Sequence, residues 1–393
     1  VALNKLSFCI VIRFFQFNYL CSYLSMYLYF YFFFSSLYVK DYNESFMIKY
    51  LPLHRAITTI YSTRDLYKNE SYVYDKVLPI LGNFGPICIH ADDDKIIMED
   101  LRALGYKVRE PLSPFFKQIL ARLHASGLAL KLKDPIGFSE LAKPLKEVVF
   151  SRQTDHLNLG GSIEDSVTNA IKHLEWIKPQ SKELEAGIKF LKSYEGRVYS
   201  EMQDLVDPGK GKYDVITHGD CWKNNIMFKY DGDGKILDVK LLDFQMPRHV
   251  SPAIDFHYFI YSSPKSSVIE ENYEDLVKSY YSKFAETLNQ KLGLPDKSET
   301  EFTMEWFRNE LKNCSKYGIF TGCWIAPAIL AEEDEIIDLD NLTMEVIEDM
   351  KKKEVKLTDF NYLTKLIENI SEPLIYFVYL YIIKFSQNAL TTK

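Results

Sequence analysis

The spacing of apolar residues changes along this chain of 393 residues. In the first part, SFMIKYLP (45–52) and the two halves of PICIHADDDKIIMEDL (86–101) are short apolar runs bounded by proline or by an acidic turn, which predicts β-strands. Between them, TRDLYKNESYVYDKVLPIL (63–81) places its apolar residues at helical spacing. This part is therefore predicted to form a small sheet with one helix.

Helical spacing dominates after residue 100. Three long helices are predicted, at SPFFKQILARLHASGLAL (113–130), NYEDLVKSYYSKFAETLNQKLGLP (272–295) and EFTMEWFRNELKNCSKYGIFTGCW (301–324). A β-hairpin is predicted among them, because two β-rich runs, 225–230 and 235–244, flank the turn sequence DGDG. The predicted fold class is α+β, with a small mixed lobe followed by a large, mainly helical lobe that contains the hairpin.

Composition narrows the classes of partner and compartment. The net charge is -7 with mixed signs, which gives no signature of polyanion binding, so no nucleic-acid partner is expected. The six cysteines include no CxxC pair, which argues against a zinc site and against a disulfide framework. We therefore expect the protein to act in the reducing cytoplasm, as a monomer.

The first 37 residues differ from the rest of the chain. Residues 8–38 are aromatic and aliphatic, with Arg13 as their only charge, and about 20 apolar residues suffice to cross a bilayer. Three interpretations stay open: unrelated coding sequence joined to a real domain, a membrane anchor, or a genuine core segment. Membrane association is expected only for an anchor. The predicted organisation is residues 1–37 as a separate segment, 38–98 as the small lobe and 99–393 as the large lobe.

Three polar side chains lie beside the predicted hairpin. Asn225 precedes its first strand, Asp243 ends its second strand, and Asp220 lies in the loop that leads into it. Because a hairpin brings its two ends together, these side chains are predicted to converge. Magnesium prefers oxygen ligands, so Asn225 and Asp243 are candidate metal ligands, while Asp220 can accept the proton of a hydroxyl group. The alternative is that all three only cap turns or strand ends.

A family resemblance rests on these same residues. HGDCWKNNIMFKYDGDGKILDVKLLDFQMPRHVSPAIDFHYFIYSS (218–263) resembles the ecdysteroid kinase-like proteins, also called CHK-kinase-like, which are relatives of the choline and aminoglycoside phosphotransferases. The resemblance extends from about residue 46 to about residue 340. It implies a protein-kinase-like two-lobe fold. It also implies transfer of the γ-phosphate of ATP, with Mg²⁺, to a hydroxyl on a small molecule.

The resemblance assigns roles to residues of the small lobe. Lys49 is expected to contact the α- and β-phosphates, and Glu70 to pair with Lys49. Backbone groups around Met98, Glu99 and Asp100 are expected to meet the adenine. Taken alone, Lys49 would be interpreted as a surface lysine on a strand and Glu70 as a solvated helix residue.

Two further residues are predicted to support the loop around Asp220. His218 is expected to brace the loop through hydrogen bonds, since Asp220 already serves as the base. Asp255, which would be costly to bury unpaired, is expected to accept hydrogen bonds from the loop backbone. His124 is expected to be a packed helix residue.

One feature departs from the family pattern. Related kinases cover the phosphates with a glycine-bearing hairpin that precedes the strand lysine, but no glycine occurs here before Gly82. Either the first strands are replaced by unrelated sequence, which we favour, or the covering hairpin has been lost. Weak or no turnover is expected of residues 1–393 as they stand.

The leading functional hypothesis is an ATP-dependent kinase acting on a hydroxyl of a lipophilic acceptor, such as an ecdysteroid or a hydroxylated xenobiotic. One alternative is a catalytically impaired pseudokinase that binds a hydrophobic ligand. A second is a phosphotransferase with choline-like or aminoglycoside acceptors.

Overall fold

The protein is described from a computed structural model. The described residues are 34–38, 45–51, 63–108, 115–153, 159–176, 182–263, 266–295 and 302–330. Most of the hydrophobic segment 1–37 lies outside these ranges. Of residues 27–38, where a phosphate-covering hairpin would precede the lysine strand, only 34–38 are described. Within the described ranges, no helix has the length and apolar character needed to cross a membrane.

The small lobe is built on an antiparallel sheet. Its strands are β1 (Phe34–Tyr38), β2 (Ser45–Tyr50), β3 (Cys88–Ala91) and β4 (Lys95–Glu99), in the order β1-β2-β4-β3. β1 begins before residue 38, so the last residues of the 1–37 segment belong to this sheet, and the predicted boundary falls inside a strand. Between β2 and β3, helix α1 (Thr63–Tyr72) continues through a π-helical turn (Val73–Val77) into α2 (Leu78–Leu81).

The large lobe is mainly helical. Its helices are α3 (Phe115–Lys133), α4 (Pro135–Ala142), α5 (Leu159–Trp176), α6 (Lys182–Lys192), α7 (Val198–Leu205), α8 (Pro252–Ser262), α9 (Ser266–Leu292), α10 (Met304–Asn313) and α11 (Ser315–Leu330). Two small antiparallel sheets lie among them: β5 (Tyr106–Lys107) with β7 (Ile226–Tyr230) and β8 (Ile236–Leu241), and β6 (Val215–Ile216) with β9 (His249–Val250). The predicted α+β organisation, with a small mixed lobe followed by a large, mainly helical lobe that contains the hairpin, is confirmed.

Aromatic side chains hold the helices of the large lobe together. α9 lies along α3, and α11 lies along α8. The rings of Phe284 on α9 and Phe302 before α10 stack with their centroids 3.9 Å apart, and Tyr280 stacks on Phe307 at 4.9 Å. All four side chains are buried, so the apolar stripe on the predicted helix 272–295 faces the core.

The prediction of one helix over residues 301–324 is wrong. The chain instead forms α10 and α11, which are separated at Cys314, where the backbone leaves helical geometry with φ -89° and ψ 1°. The hydroxyl of Ser315 donates to the carbonyl of Lys312 at 2.8 Å. A short polar side chain that bonds the local backbone in this way is common where a helix ends.

The aromatic stack gives a test of the core. Phe302→Ala should lower the free energy of unfolding by about 3–5 kcal/mol, because it removes a fully buried ring and leaves a cavity against Phe284. Ile136→Ala is the control, since Ile136 is 79% exposed, and its effect should stay within about 0.5 kcal/mol. Urea unfolding measures both variants. Equal effects would contradict the assignment of this stack to the core.

Candidate active site

The β7–β8 hairpin brings the predicted metal ligands together. Ile226 pairs with Leu241 at the open end of the hairpin, and the amide of Leu242 donates to the carbonyl of Asn225 at 2.8 Å. Asn225 and Asp243 therefore flank the same pair of hydrogen-bonded strands. The backbone at these two positions is adjacent, as the hairpin predicts, and their role as metal ligands stays a prediction.

The side chain of Asp220 is held on both of its oxygens. Nδ2 of Asn225 donates to Asp220 Oδ2 at 2.9 Å, and the hydroxyl of Tyr258 on α8 donates to Oδ1 at 2.6 Å. Burial raises the pKa of Asp220 to about 7, while the hydrogen bonds from Tyr258 and Asn225 favour the carboxylate and oppose that rise. The carboxylate is thus oriented before any acceptor arrives.

Lys49 joins the two lobes through a chain of charges. Its Nζ donates to Glu70 Oε2 on α1 and, at 2.8 Å, to Oδ1 of Asp243 in the large lobe. Lys49 is 2% exposed and Glu70 is 1% exposed, so neither is the solvated residue that an isolated reading of the sequence suggests. Burial raises the pKa of Glu70, and the adjoining Lys49 ammonium opposes that rise.

The backbone at Asp243 is in the left-handed region, with φ 66°. A non-glycine residue rarely adopts this conformation, which costs energy unless the surroundings hold it. Here the amide of Asp243 donates to the hydroxyl of Tyr74 at 3.3 Å, and its Oδ1 accepts hydrogen bonds from Lys49 and from Nε2 of Gln245. These contacts fix the direction of the carboxylate.

Asp255 braces the loop that carries Asp220, as predicted. Its carboxylate accepts from the backbone amides of His218 at 2.6 Å and Gly219 at 2.9 Å. Nε2 of His124 also lies 3.0 Å from the carboxylate, so His124 is buried but has a polar contact beyond packing. Burial is the largest influence on Asp255, yet the hydrogen bond from His124 and the other local donors outweigh it and lower the pKa.

His218 also has the bracing role that the sequence predicts. Its Nδ1 lies 3.2 Å from the amide of Asp220, and its Nε2 lies 2.8 Å from the carbonyl of Leu242. An amide can only donate and a carbonyl can only accept, so the ring is neutral with its proton on Nε2. Burial lowers the pKa of His218, which agrees with a neutral ring. The ring therefore ties the Asp220 loop to the end of β8.

The predicted adenine contacts lie at the end of β4. Met98 is buried in the sheet, and Oε2 of Glu99 accepts from the amide of Ile87 at 2.9 Å. Asp100 accepts from the hydroxyl of Ser45 at 2.7 Å. The amide of Glu99 donates to the carbonyl of Ile87 and that of Asp100 to the carbonyl of Ser45, so these two amides are already used. The contact with adenine at these residues stays a prediction.

Comparison with known proteins identifies the family. A model of the ecdysteroid kinase-like family matches residues 31–293, which is more than half of the chain. The chain belongs to the ecdysteroid kinase-like family. It is a family of kinase-like small-molecule phosphotransferases, as the sequence predicts. A comparison with curated protein sequences gave no match.

Several solved structures are similar to this ecdysteroid kinase-like protein at low identity. A Plasmodium vivax ethanolamine kinase is 15% identical, with 78% of this chain and 76% of that chain covered and a TM-score of 0.40. A choline kinase from Cryptosporidium parvum is 13% identical, with 88% and 90% covered and a TM-score of 0.43. A spectinomycin phosphotransferase solved with ADP and spectinomycin is 10% identical, with 94% and 93% covered and a TM-score of 0.43.

The side chains at the hairpin fit a magnesium ion. Both side-chain hydrogen bonds of Asn225 leave from Nδ2, which leaves its Oδ1 as the amide atom that can ligate a cation. Beside Asp243, the buried Oε1 of Gln245 has no hydrogen-bond partner among the described residues. Those residues contain no group of three or more His, Cys, Asp or Glu placed to hold a metal. Magnesium does not require one, because it is usually held by one or two protein groups together with water and phosphate oxygens.

Two residues of this ecdysteroid kinase-like protein that touch the site were missed from the sequence. Tyr258 lies in an apolar helical stretch of the sequence, where it resembles an ordinary core residue. Arg248 is 4% exposed. It donates from Nε to Glu147 and from Nη1 to the carbonyl of Gly219 at 3.2 Å. A buried arginine must be paired, and Arg248 supports the Asp220 loop through Gly219. No local pattern in the sequence marks its burial. Nothing local distinguishes Tyr258.

Gly219 is required for the loop to approach its neighbour. Its φ is 85°, and a Cβ at this position would lie 1.6 Å from the carbonyl oxygen of Met246. Gly234 in the hairpin turn has φ 80° but no atom within 4 Å of such a Cβ. The two glycines therefore share a backbone conformation and differ in available space.

This difference gives a matched pair of variants. Gly234→Ala should cost about 1–2 kcal/mol of unfolding free energy, which is the penalty for a left-handed non-glycine residue. Gly219→Ala should cost more, because the backbone at Met246 must also move, and it should displace the Asp220 loop. Urea unfolding measures both. Equal costs would show that Gly219 is needed only for its φ angle.

Proposed function

We propose that this protein is an ATP- and Mg²⁺-dependent kinase that phosphorylates a hydroxyl group on a lipophilic small molecule. The observation that carries the proposal is the contact of Lys49 with both Glu70 and Asp243. This contact joins the predicted phosphate-binding lysine to the predicted metal ligand. The same hairpin places Asn225 against Asp220, the proposed base.

Each of these residues has a separate role in phosphoryl transfer. Asp220 hydrogen-bonds the acceptor hydroxyl and takes its proton as the oxygen forms a bond to the γ-phosphorus. The bond from that phosphorus to the β,γ-bridging oxygen breaks, and ADP leaves. Lys49 contributes positive charge at the phosphates, where positioning and electrostatic stabilisation account for most of the catalysis. When bound through Asn225 and Asp243, Mg²⁺ supplies further neutralisation of phosphate charge.

The acceptor class is the finer part of the proposal. Family membership supports a small molecule with a hydroxyl, and the name of the family suggests an ecdysteroid. A panel of an ecdysteroid, a hydroxylated xenobiotic, choline and an aminoglycoside separates the candidates, with ATP consumption as the readout. Turnover of the first two supports a lipophilic acceptor. Turnover of choline or the aminoglycoside alone would replace that class with a cationic one.

Nucleotide binding is the first test. ATP with Mg²⁺ should raise the melting temperature of the full chain by a few degrees at saturating nucleotide, because a ligand that binds only the folded state stabilises it. Asp243→Ala should abolish the magnesium-dependent part of the shift. Asp233→Ala is the control, since Asp233 is an exposed carboxylate in the turn of the same hairpin and should leave the shift unchanged. No shift in the unaltered protein would favour a hydrophobic-ligand-binding pseudokinase.

The base is tested separately from nucleotide binding. Asp220→Asn should retain the magnesium-dependent ATP shift but reduce turnover by about 10²–10⁴-fold, which is the usual contribution of a general base. The amide keeps the size of the side chain while it loses the ability to accept the proton. Turnover of the best acceptor in the panel is the measurement. A variant that retains full turnover would remove Asp220 from the proposed role.

A further inference from the structure

One face of α1 contacts the large lobe through polar side chains. Asp65, Asn69 and Tyr72 are spaced by four and three residues, so they lie on the same side of the helix. Nζ of Lys146 donates to Asp65 at 2.8 Å, and the hydroxyl of Tyr72 donates to the carbonyl of Leu141 at 3.1 Å. Leu141 and Lys146 belong to α4 and the segment after it. This face is therefore an interface between the lobes.

Asn69 makes the buried contacts at the centre of this face. Its Oδ1 accepts from the amide of Lys146 at 3.0 Å, and its Nδ2 donates to the carbonyl of the same residue at 2.9 Å. Nδ2 also donates to the carbonyl of Gln245 at 3.1 Å. The side chain is 2% exposed, and both hydrogens of the amide are used. The orientation of the amide is therefore fixed by three backbone groups.

These contacts connect the two carboxylates that hold Lys49. Glu70 follows Asn69 on α1 and pairs with Lys49. Gln245, whose carbonyl Asn69 binds, donates from its own side chain to Oδ1 of Asp243, the other partner of Lys49. Glu70, Lys49 and Asp243 together are called the ion chain below. Asn69 is adjacent in sequence to Glu70, one partner of Lys49. It also hydrogen-bonds Gln245, which orients Asp243, the other partner.

We propose that Asn69 is a positioning residue that docks α1 on the large lobe and so keeps Glu70 and Asp243 within reach of Lys49 together. The role of the ion chain in nucleotide binding rests on the proposed function. The docking itself rests only on the contacts above. In this protein, α1 is held by hydrogen bonds to main-chain groups of the other lobe, so the position of Glu70 depends on how the lobes meet.

Tyr72 provides a matched comparison. Tyr72→Phe removes one hydrogen bond from the same helix to the same lobe. Among the described residues, Tyr72 makes no hydrogen bond to Gln245 or Asp243, whereas Asn69 binds Gln245. If Asn69 only adds stability to the interface, Asn69→Ala and Tyr72→Phe should differ only in how far they lower the melting temperature. If Asn69 positions the ion chain, its variant alone should disturb the Asp243 segment.

Hydrogen exchange on the full chain, without ligand, tests the docking. Asn69→Ala should speed exchange about tenfold at the amides of 63–72 and also at 243–246, while Tyr72→Phe should leave 243–246 unchanged. Faster exchange confined to 63–72 in the Asn69 variant would overturn the proposal. So would equal effects of the two variants at 243–246. Asn69→Ser, which keeps one hydrogen-bonding group, replaces the alanine variant if that variant does not fold.

Titration with MgATP tests the consequence for binding. Asn69→Ala should weaken the affinity about tenfold, and Tyr72→Phe less than about twofold, because only the first disturbs the partners of Lys49. Unchanged affinity in Asn69→Ala, beside an unaltered protein that binds, would overturn the positioning role. An unaltered protein that binds no MgATP would instead refute the proposed function, and the exchange comparison would still decide whether Asn69 couples α1 to the Asp243 segment.

Discussion

The buried ammonium group of Lys49 is the interaction on which the site depends. At 2% exposure it has almost no water around it, so it must be paired, and a buried charge that loses its partner is strongly destabilising. Its partners come from two places far apart in the chain, α1 and the end of the β7–β8 hairpin. The sheet, the helix and the hairpin must therefore meet at one point for this charge to be tolerated. The contacts that allow Lys49 to be buried in the folded protein are therefore the same contacts that set the geometry of the site.

The loop that carries Asp220 is held by a second buried group, the carboxylate of Asp255. Asp255 satisfies two backbone amides of the Asp220 loop, and His218 ties that loop to the end of β8. Such a network fixes the loop only if every member is satisfied, since an unpaired buried polar group is costly. The unfavourable backbone at Asp243, with φ 66°, persists for a separate reason, because Tyr74, Lys49 and Gln245 hold the residue.

Local patterns predicted the elements and the centre of the site. The hairpin, the core-facing stripe of α9 and the convergence of Asn225 with Asp243 follow from turn residues and from polar side chains beside apolar strands. The break at Cys314 was missed because the apolar period continues through it and no glycine or proline marks it in the sequence. Asn69 and Tyr258 were missed for another reason. Their partners are 77 and 38 residues away, and no local period marks such contacts.

The arrangement of donors at Asp243 shows what this organisation achieves. Lys49 and Gln245 both donate to the same oxygen, Oδ1, so the carboxylate is oriented by the protein alone. Asp220 is likewise held on both oxygens by Asn225 and Tyr258. Dipoles and charges fixed in advance need no reorganisation when charge develops, and this is the main way in which enzymes stabilise such transition states. The free-energy cost of fixing these groups is compensated when the protein folds. The site therefore requires both lobes to be docked.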